Sequence, residues 1–445
     1  MTIRQLREQL DRGEVTSRAL CEAAFARIDD AAGEGARTFT ELDRTGALAA
    51  ADAADTQRRA GYVASAIAGM PVSVKDLFDV AGSTTRAGSV VLDGAAPATA
   101  DATIIGRLRR AGAVIVGKTN MTEFAYSGLG INPHFGTPLA PYDRATGRVP
   151  GGSSSGAAVS VADGMVVAAI GTDTGGSVRI PAAFCGIVGF KPTAARVPLT
   201  GAYPLSFTLD SIGPLARSVA CCATLDAILA GEAPPALDVP PVRRWRFLAP
   251  VNYVRGGLDA TVEAAFAAGL ASVRAAGAQV DEIPLPAFER LPVLPNGATI
   301  TGAEAYWSHR ELLAGAQARY DPQIARRILR GATITAAEYI EMLLARRAYI
   351  SAFHAQSEGY DALLWPTVAI VPPPVRALEA DDDAYASANA LILRNTSTVN
   401  ALDGCALSLP LAGAGGAPAG LMVVGRNGED ARLLRIGAAV EAVLR

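Results

Sequence analysis

The sequence contains little histidine and little lysine. Three of its 445 residues are histidine, and three of its 40 basic side chains are lysine, while all the others are arginine. Because an arginine effectively never loses its proton whereas a desolvated lysine can, the few lysines mark candidate positions for proton transfer. Three chance lysines under GC-rich codon usage explain the same count equally well. The lysines are Lys75, Lys118 and Lys191.

Several common catalytic motifs are missing. Neither H-E-x-x-H nor C-x-x-C occurs, so we expect no metal centre. The Walker phosphate loop and the dinucleotide fingerprint are absent too, and we expect no cofactor. Residues 152–156 formally match G-x-S-x-G, but the nucleophile elbow of α/β-hydrolases needs a strand directly before it. Residues 146–150 contain glycine and proline instead, which argues against a serine hydrolase with a histidine base.

Cysteine and export signals are also scarce. The five cysteines are odd in number and lack the spacing of a disulfide framework, which favours reduced thiols in a cytoplasmic protein. The N-terminal segment carries charges where a signal peptide has its apolar region. The longest uncharged stretch near the end, residues 406–425, is broken by prolines and glycines, so we expect a buried loop and strand rather than a membrane span.

The charge is low and evenly spread. Charged residues make up 19% of the chain, the net charge is −3, and no basic block occurs, so we expect neither nucleic acid nor a membrane as a partner. Hydrophobic residues make up 50%, enough for a large core. The length alone allows several domains, but there is no repeat and no flexible linker. Residues 234–241 are the best candidate for a boundary, although a surface loop explains them equally well.

Local patterns predict alternating helices and strands. Helices are expected within residues 2–60, with Thr16 or Ser17 capping the segment that runs to Ile28, and over 44–59, 101–111, 218–230, 259–276 and 429–444. Strands are expected over 70–76, continuing through 77–80, and over 113–116, 245–249, 279–283, 360–367 and 421–425. Residues 284–357 are expected to be mostly helical and to cover a pocket.

Residues 150–179 form the most informative stretch. Two turns rich in glycine and serine, 151–156 and 171–177, bracket one apolar, β-branched run. Glycines allow backbone N–H groups to approach a small anion, and each turn carries a serine that it could present. This layout predicts stabilisation of an oxyanion on a reacting acyl group. A purely structural role explains one such turn better than it explains two.

A serine nucleophile without a histidine partner needs another base. Lysine can serve when burial lowers its pKa towards neutrality. Lys75 follows an apolar strand and precedes Asp76, in a chain that otherwise uses arginine. An ordinary exposed ammonium group is the alternative for Lys75 taken alone.

The chain resembles the amidase signature family over nearly its whole length, and six motifs make the match specific. They are PVSVKD at 71–76, GKTNMTEFA at 117–125, GGSSSG at 151–156, GTDTGGSVRIP at 171–181, GFKPT at 189–193 and DSIGP at 210–214. The resemblance implies one α/β domain over residues 1–445, with a central mixed β-sheet covered by helices on both faces. Ser155 stands where many members have glycine, a difference that we expect to leave the mechanism undisturbed.

The resemblance also implies a Ser-cisSer-Lys triad. Ser177 would be the nucleophile, Ser153 the bridging serine at a cis peptide bond, and Lys75 the base. The oxyanion hole would consist of the backbone N–H groups of Thr174, Gly175, Gly176 and Ser177. The supporting residues would be Ser154, which hydrogen-bonds Lys75 or its neighbours, and the pair Asp173 and Arg179, with Lys118 and Lys191 being structural.

The triad alone does not determine the substrate. The expected pocket walls are apolar or aromatic and suggest a small neutral amide, aryl amides included, rather than a dicarboxylate. Carbamate (urethane) and ester cleavage use the same relay and stay open. The expected wall residues are Ala125, Tyr126, Leu129, His134, Tyr203 and Phe207, with parts of 300–345.

Two alternatives to a stand-alone amidohydrolase are considered. One is a glutaminase that resembles the glutamine-hydrolysing subunit of the tRNA-dependent amidotransferase and works with partner chains. The other is a catalytically inactive binding module, which is disfavoured because all three triad positions are filled. The expected partner is a small amide or carbamate, and a homodimer is left open.

Overall fold

The computed structural model describes residues 1–234, 237–294 and 297–444. The boundary candidate at 234–241 and the pocket-covering segment at 284–357 each contain two residues outside that description, 235–236 and 295–296. No helix in the described part of the chain combines the length and the apolar character needed to cross a membrane.

A single sheet runs through the molecule. Its eleven strands in the described residues are β1 (Phe39–Leu42), β2 (Pro71–Lys75), β3 (Val114–Thr119), β4 (Ala168–Thr172), β5 (Val188–Lys191), β6 (Ile212–Ala216), β7 (Arg246–Pro250), β8 (Gln279–Ile283), β9 (Ala362–Pro366), β10 (Cys405–Ala412) and β11 (Pro418–Gly425). They lie in the order β1-β3-β2-β4-β6-β5-β10-β11-β9-β7-β8. The sheet is mixed, because β2 is parallel to both β3 and β4 while β4 and β6 are antiparallel.

The described residues also form fifteen α-helices of very different length. They are α1 (Ile3–Asp11), α2 (Ser17–Ile28), α3 (Gly35–Thr38), α4 (Arg44–Arg59), α5 (Thr103–Arg110), α6 (Ser155–Ala162), α7 (Arg179–Cys185), α8 (Val219–Ala230), α9 (Ala260–Ala275), α10 (Ile300–Ala316), α11 (Pro322–Leu329), α12 (Ala336–Gln356), α13 (Val375–Glu379), α14 (Asp382–Leu402) and α15 (Asp430–Leu444).

The two faces of the sheet are covered by different helices. Alternate residues of β4 point to opposite sides, so that Ile170 packs with α5 and α8 in one apolar cluster. Ala169 packs with α2, α4, α6 and α7 in another. This arrangement is the predicted α/β domain, a mixed sheet with helices on both faces.

Local signals predicted several helix ends well. Thr16 is the N-cap of α2, where its hydroxyl accepts a hydrogen bond from the N–H of Ala19 at 3.0 Å. Asp43 caps α4 in the same way through the N–H of Gly46. The predicted extension of the first strand through residues 77–80 is wrong. The chain turns directly after Lys75, because the N–H of Phe78 donates to the carbonyl of Lys75 and that of Asp79 to Gly201.

The apolar run between the two glycine-rich turns divides into a helix and a strand. Helix α6 ends at Ala162 with Asp163 as its C-cap, and Gly164 follows with a φ of +71°, a conformation that favours glycine. Strand β4 then begins at Ala168 and ends at Thr172, so that the second turn leaves the sheet beside the end of β2. The fold therefore brings both turns to one edge of the sheet.

Candidate active site

Lys75 lies at the carboxyl end of β2, completely buried. Its Nζ donates hydrogen bonds to Ser153 Oγ at 2.7 Å and to Thr172 Oγ1 at 2.9 Å. Thr172 is the last residue of β4, and because β2 and β4 are parallel their carboxyl ends meet at the same edge. We refer to Lys75, Ser153, Thr172 and Ser177 as the serine–lysine cluster.

The environment of Lys75 favours the neutral amine. Burial lowers the pKa of Lys75 to about 7, although the carboxylates of Asp210 and Asp173 act in the opposite direction. No ion pair compensates the ammonium form within the described residues, and its two close contacts are hydroxyl groups. A substantial fraction of Lys75 can therefore accept a proton near neutral pH.

The first glycine-rich turn presents Ser153 to this lysine. The peptide bond between Gly152 and Ser153 is cis. A Cβ on Gly152 would lie 2.6 Å from the backbone nitrogen of Gly130, so no larger residue fits there. The turn is held to its neighbours because the N–H of Thr122 donates to the Ser153 carbonyl at 3.1 Å and the N–H of Ser154 to the Ser177 carbonyl at 3.2 Å.

Ser154 supports the cluster through backbone rather than through the amine itself. Its hydroxyl donates to the carbonyl of Thr172 at 3.4 Å, while the Thr172 hydroxyl accepts from Lys75. Of the predicted alternatives, Ser154 therefore contacts a neighbour of Lys75.

The second glycine-rich turn is organised around Asp173. The Asp173 carboxylate accepts from the N–H groups of Gly176 at 2.9 Å and Val178 at 3.2 Å. Gly176 has a φ of +136°, and a Cβ there would lie 2.2 Å from Thr396 Oγ1. The N–H of Gly176, expected in the oxyanion hole, is thus already donated to Asp173. The N–H groups of Thr174, Gly175 and Ser177 have no acceptor among the described residues.

Asp173 and Arg179 form a fully buried ion pair. Arg179 donates to the two Asp173 oxygens at 3.0 and 2.8 Å, and its remaining donors contact Asn400 and the Thr396 carbonyl. Burial opposes ionisation of Asp173, but Arg179 outweighs it and holds the pKa of the carboxyl well below its usual range. The predicted pair therefore anchors the turn that carries Ser177 to helix α14.

A cavity of about 360 Å³ opens above the second turn. Ser177, Thr174 and Gly175 line it, as do the predicted wall residues Ala125 and Tyr126. The rest of the lining, which we call the cavity wall, is mainly apolar. Its side chains in the described residues are those of Ser127, Leu205, Leu209, Tyr253, Leu291, Pro292, Val293, Thr299, Ile300, Thr301, Arg327, Ala390, Leu393, Arg394, Ser397, Asn400 and Ala401.

Four predicted wall residues do not line this cavity. Leu129 is completely buried in an apolar cluster around α7 and α14. His134 lies against Glu123 at 2.9 Å, and hydrogen bonding to that carboxylate raises the pKa of His134. Tyr203 packs beside the ring of Phe124.

Phe207 is 53% exposed and stacks edge-on against Trp307 at 5.2 Å, at a different pocket. All four positions lie close in sequence to the motifs. Tertiary packing turns their side chains elsewhere.

Three residues near the site were not predicted, namely Thr172, Asp210 and Asn400. Thr172 accepts a hydrogen bond from Lys75, Asp210 accepts one from the Thr174 hydroxyl, and the amide of Asn400 donates to Asp173 at 2.9 Å. Burial raises the pKa of Asp210 to about 6. Asp210 begins a motif noted in the sequence, so its buried carboxylate could have been considered. Asn400 carries no local signal, because its contact spans 227 residues.

The other two lysines contact backbone carbonyls. Lys118 donates to Thr84 at 3.0 Å, and Lys191 donates to Pro192 and Gly404, both at 2.7 Å. The described residues contain no group of three or more histidine, cysteine or acidic side chains arranged to hold a metal ion. Because Lys75 bonds Ser153 and the N–H groups of Thr174, Gly175 and Ser177 are free, this arrangement can support proton transfer between lysine and serine beside a set of hydrogen-bond donors.

Comparisons with known proteins agree with the fold and the motifs. A family model described as Amidase matches residues 19–434. The chain is 35% identical to the 2-amino-5-chloromuconic acid deaminase of Comamonas testosteroni, over 98% of this chain and 94% of that protein. It is 36% identical to the A subunit of the glutamyl-tRNA(Gln) amidotransferase of Roseiflexus sp. (strain RS-1), over 100% and 96%.

A solved structure described as an amidase superposes with a TM-score of 0.87 at 34% identity and covers 100% of both chains. The family match, the relatives and the shared fold all extend over nearly the entire length. The chain therefore belongs to the amidase signature family of amidohydrolases.

Proposed function

We propose that this amidohydrolase cleaves the C–N bond of small amides through an acyl intermediate on Ser177, with Lys75 as the base and Ser153 as the proton relay. The observation that carries the proposal is the 2.7 Å hydrogen bond between a fully buried Lys75 and Ser153. The N–H of Ser154, the residue after Ser153, donates a hydrogen bond to the carbonyl of Ser177, and Ser177 lines the cavity.

In the first step, neutral Lys75 takes a proton from Ser153 while Ser153 takes one from Ser177. The Ser177 oxygen attacks the substrate carbonyl, and negative charge develops on the carbonyl oxygen. The free N–H groups of Thr174, Gly175 and Ser177 are the proposed donors to this oxygen. Gly176 is left out because its N–H holds Asp173.

In the second step, the same relay runs in reverse. The protonated Lys75 returns a proton through Ser153 to the leaving nitrogen, which is required because an unprotonated amine is a very poor leaving group. Water then attacks the acyl-serine while the relay takes its proton. The bond between the acyl carbon and the Ser177 oxygen breaks, the relay returns the proton to Ser177, and the acid product leaves.

The mainly apolar cavity wall supports amides with apolar groups, aryl groups included. Carbamates and esters present the same kind of carbonyl to Ser177, so we propose urethane and ester hydrolysis as further activities of this site. The cavity of about 360 Å³ suits small substrates.

A glutaminase that works with partner chains is the second candidate, favoured by the 36% identity to a chain of the tRNA-dependent amidotransferase. The two candidates differ in what the isolated chain does. A stand-alone amidohydrolase releases amine from simple anilides without any partner, whereas a glutaminase that depends on partner chains does not.

The experiment combines a substrate screen with covalent labelling. The purified chain is assayed on matched anilides, carbamates and nitrophenyl esters, and a sulfonyl fluoride is used to label the nucleophile for peptide mapping. We expect amine release and a label on Ser177. Ser155→Ala is the matched control, since Ser155 is also buried but its hydroxyl contacts the Asn120 carbonyl. Labelling of another residue, or equal losses in Ser177→Ala and Ser155→Ala, would overturn the proposal.

A further inference from the structure

Two arginines of the cavity wall lack an acidic partner. Arg327, on α11, and Arg394, on α14, both line the cavity that Ser177 lines. Neither forms an ion pair with any described residue, although the chain forms many elsewhere. The described lining contains no aspartate and no glutamate. The cavity therefore has a positive charge that no described residue of its lining neutralises.

Arg327 is the less engaged of the two. Its side chain makes no hydrogen bond to any described residue, and its guanidinium lies over the ring of Tyr126, 4.6 Å from the ring centre. That contact orients the planar group by a cation–π interaction while leaving its N–H donors available. The neighbouring Arg326 behaves differently, because it pairs with Asp382 at 2.9 Å on the outer side. One helix thus directs one arginine to an acidic partner and the next into the cavity.

Arg394 is held in place by neutral acceptors. It donates to Asn395 Oδ1 at 3.0 Å and to the carbonyl oxygens of Gly256 and Val254. Burial lowers the pKa of Arg394, but an arginine keeps its charge in proteins. These bonds fix the guanidinium without compensating its charge, since all three acceptors are uncharged.

We propose that the substrate carries a carboxylate, which Arg327 and Arg394 bind while the scissile bond lies at Ser177. A guanidinium presents parallel N–H donors that match the two oxygens of a carboxylate, and such charge-assisted bonds are among the strongest in proteins. The proposal rests on the proposed function, because it uses the same cavity and the same nucleophile. It replaces the wholly neutral substrate expected from the sequence with an apolar amide that also carries a negative charge.

The absence of acidic side chains from the described lining adds a second restriction. A substrate with a free ammonium group finds two like charges and no carboxylate in this cavity. We therefore expect monoanionic amides to be preferred to zwitterionic ones such as free glutamine. This expectation also separates the two candidate functions.

The carboxylate can lie on either side of the scissile bond, and two matched substrate pairs distinguish the sides. Succinanilate and its terminal carboxamide place the charge or its neutral isostere in the acyl half. The compounds 4-acetamidobenzoate and 4-acetamidobenzamide place them in the leaving amine. Release of the aromatic amine is measured for all four with the wild-type chain and with Arg327→Gln, Arg327→Lys, Arg394→Gln and Arg326→Gln.

We expect the wild-type chain to prefer the charged member of at least one pair by about 10- to 100-fold in kcat/KM, the range for a hydrogen bond to a charged group. Arg327→Gln should abolish most of that preference, and Arg394→Gln should reduce it. Arg327→Lys should restore part of it, because lysine keeps the charge but not the paired donors. Arg326→Gln should keep the wild-type preference.

A binding measurement that needs no turnover keeps the test valid even if all four compounds are poor substrates. Succinate, benzoate and their carboxamides are added separately to each protein, and the shift in melting temperature is measured. Succinate or benzoate should stabilise the wild type and Arg326→Gln more than Arg327→Gln. The inference would be overturned if the wild type showed the same kcat/KM and the same thermal shift for charged and neutral members. It would also be overturned if Arg327→Gln lost kcat/KM equally on both members of a pair. Hydrolysis of the neutral anilides in that case would leave the proposed function standing, whereas a label outside Ser177 would overturn the proposed function separately.

Discussion

The serine–lysine cluster and the cavity wall differ in how the chain builds them. All four residues of the cluster are buried, Lys75 bonds two of the hydroxyl groups, and the residues come from strand ends and two glycine-rich turns. The wall is assembled from segments far apart in sequence, including α10, α11, α14 and the loop before β6. Several of its side chains are only partly buried.

This difference separates chemistry from specificity. A substitution in the cluster disturbs tightly packed backbone next to it. Gly152 and Gly176, which neighbour Ser153 and Ser177, have no room for a side chain. Exchanging a wall residue that, unlike Asn400, makes no contact with the second turn changes only what the cavity accepts. We therefore expect substitutions in the cluster to affect turnover of every substrate and substitutions in the wall to affect selected ones.

The largest effect is expected for Ser177→Ala. Loss of the proposed nucleophile removes the covalent route altogether, and such losses typically amount to several orders of magnitude in kcat. The measurement is amine release from an anilide, with circular dichroism to confirm that the variant is folded. Ser155→Ala should retain turnover within about threefold. Activity of Ser177→Ala within tenfold of the wild type would show that the cluster does not work through this serine.

The second prediction concerns Lys75 and pH. Because burial lowers its pKa to about 7, the base is protonated below that pH, so activity should rise with pH and reach half its maximum near 7. Lys75→Ala should lose about 10²- to 10⁴-fold on an anilide, the usual range for a general acid–base group. The loss on a nitrophenyl ester with the same acyl group should be smaller by at least about tenfold, since that leaving group departs without a proton.

The test for Lys75 is a matched anilide and ester measured from pH 6 to 10. Lys191→Met serves as a control for removing a buried lysine, because Lys191 bonds only carbonyl oxygens away from the cluster. An unchanged pH profile in Lys75→Ala would exclude Lys75 as the base. Equal losses on both substrates would leave it with nucleophile activation alone.

The sequence predicted the cluster far better than the wall, for a physical reason. Local patterns mark Lys75 and the two glycine-rich turns, and the resemblance to the amidase signature family identifies Ser153 and Ser177 within those turns. Thr172 joins them only because β4 pairs beside β2, a register that no local pattern reveals.

The missed parts of the wall depend on longer-range packing. Helix α14 was not predicted, yet it supplies Asn400, Leu393 and Arg394 to the cavity. Arg327 has the same local character as Arg326, and only the fold decides which of them faces Asp382. The positive charge of Arg327 and Arg394 in the wall therefore could not be predicted from local sequence patterns.

A smaller effect is expected from the ion pair beneath the second turn. Asp173→Asn leaves Arg179 buried without a carboxylate, and breaking a buried pair in this way destabilises a protein by about 3–5 kcal/mol. Denaturant unfolding should show this loss. Adding Arg179→Met should recover part of it, whereas purely additive losses would contradict the coupling.

The pH dependence of this pair has a definite sign. Because the folded pKa of Asp173 lies below its ordinary value, the contribution to stability is complete above the ordinary aspartate pKa of about 4. It is lost as the pH falls through the folded pKa. The difference in unfolding free energy between the wild type and Asp173→Asn should therefore shrink progressively as the pH falls below about 4.

The smallest effect is expected in the wall, and it compares Leu209 with Phe207. Leu209 lines the cavity, whereas Phe207, two residues earlier, packs against Trp307 at another pocket. Leu209→Ala removes a partial apolar contact with substrate, which corresponds to about 1 kcal/mol or roughly a fivefold loss in kcat/KM. That loss should grow with the length of the acyl group across a homologous series of anilides. Phe207→Ala should stay within about twofold for every member of the series. Equal losses in the two variants would mean that substrates extend beyond the cavity to Phe207, and the wall would then have to include the position that the fold places outside it.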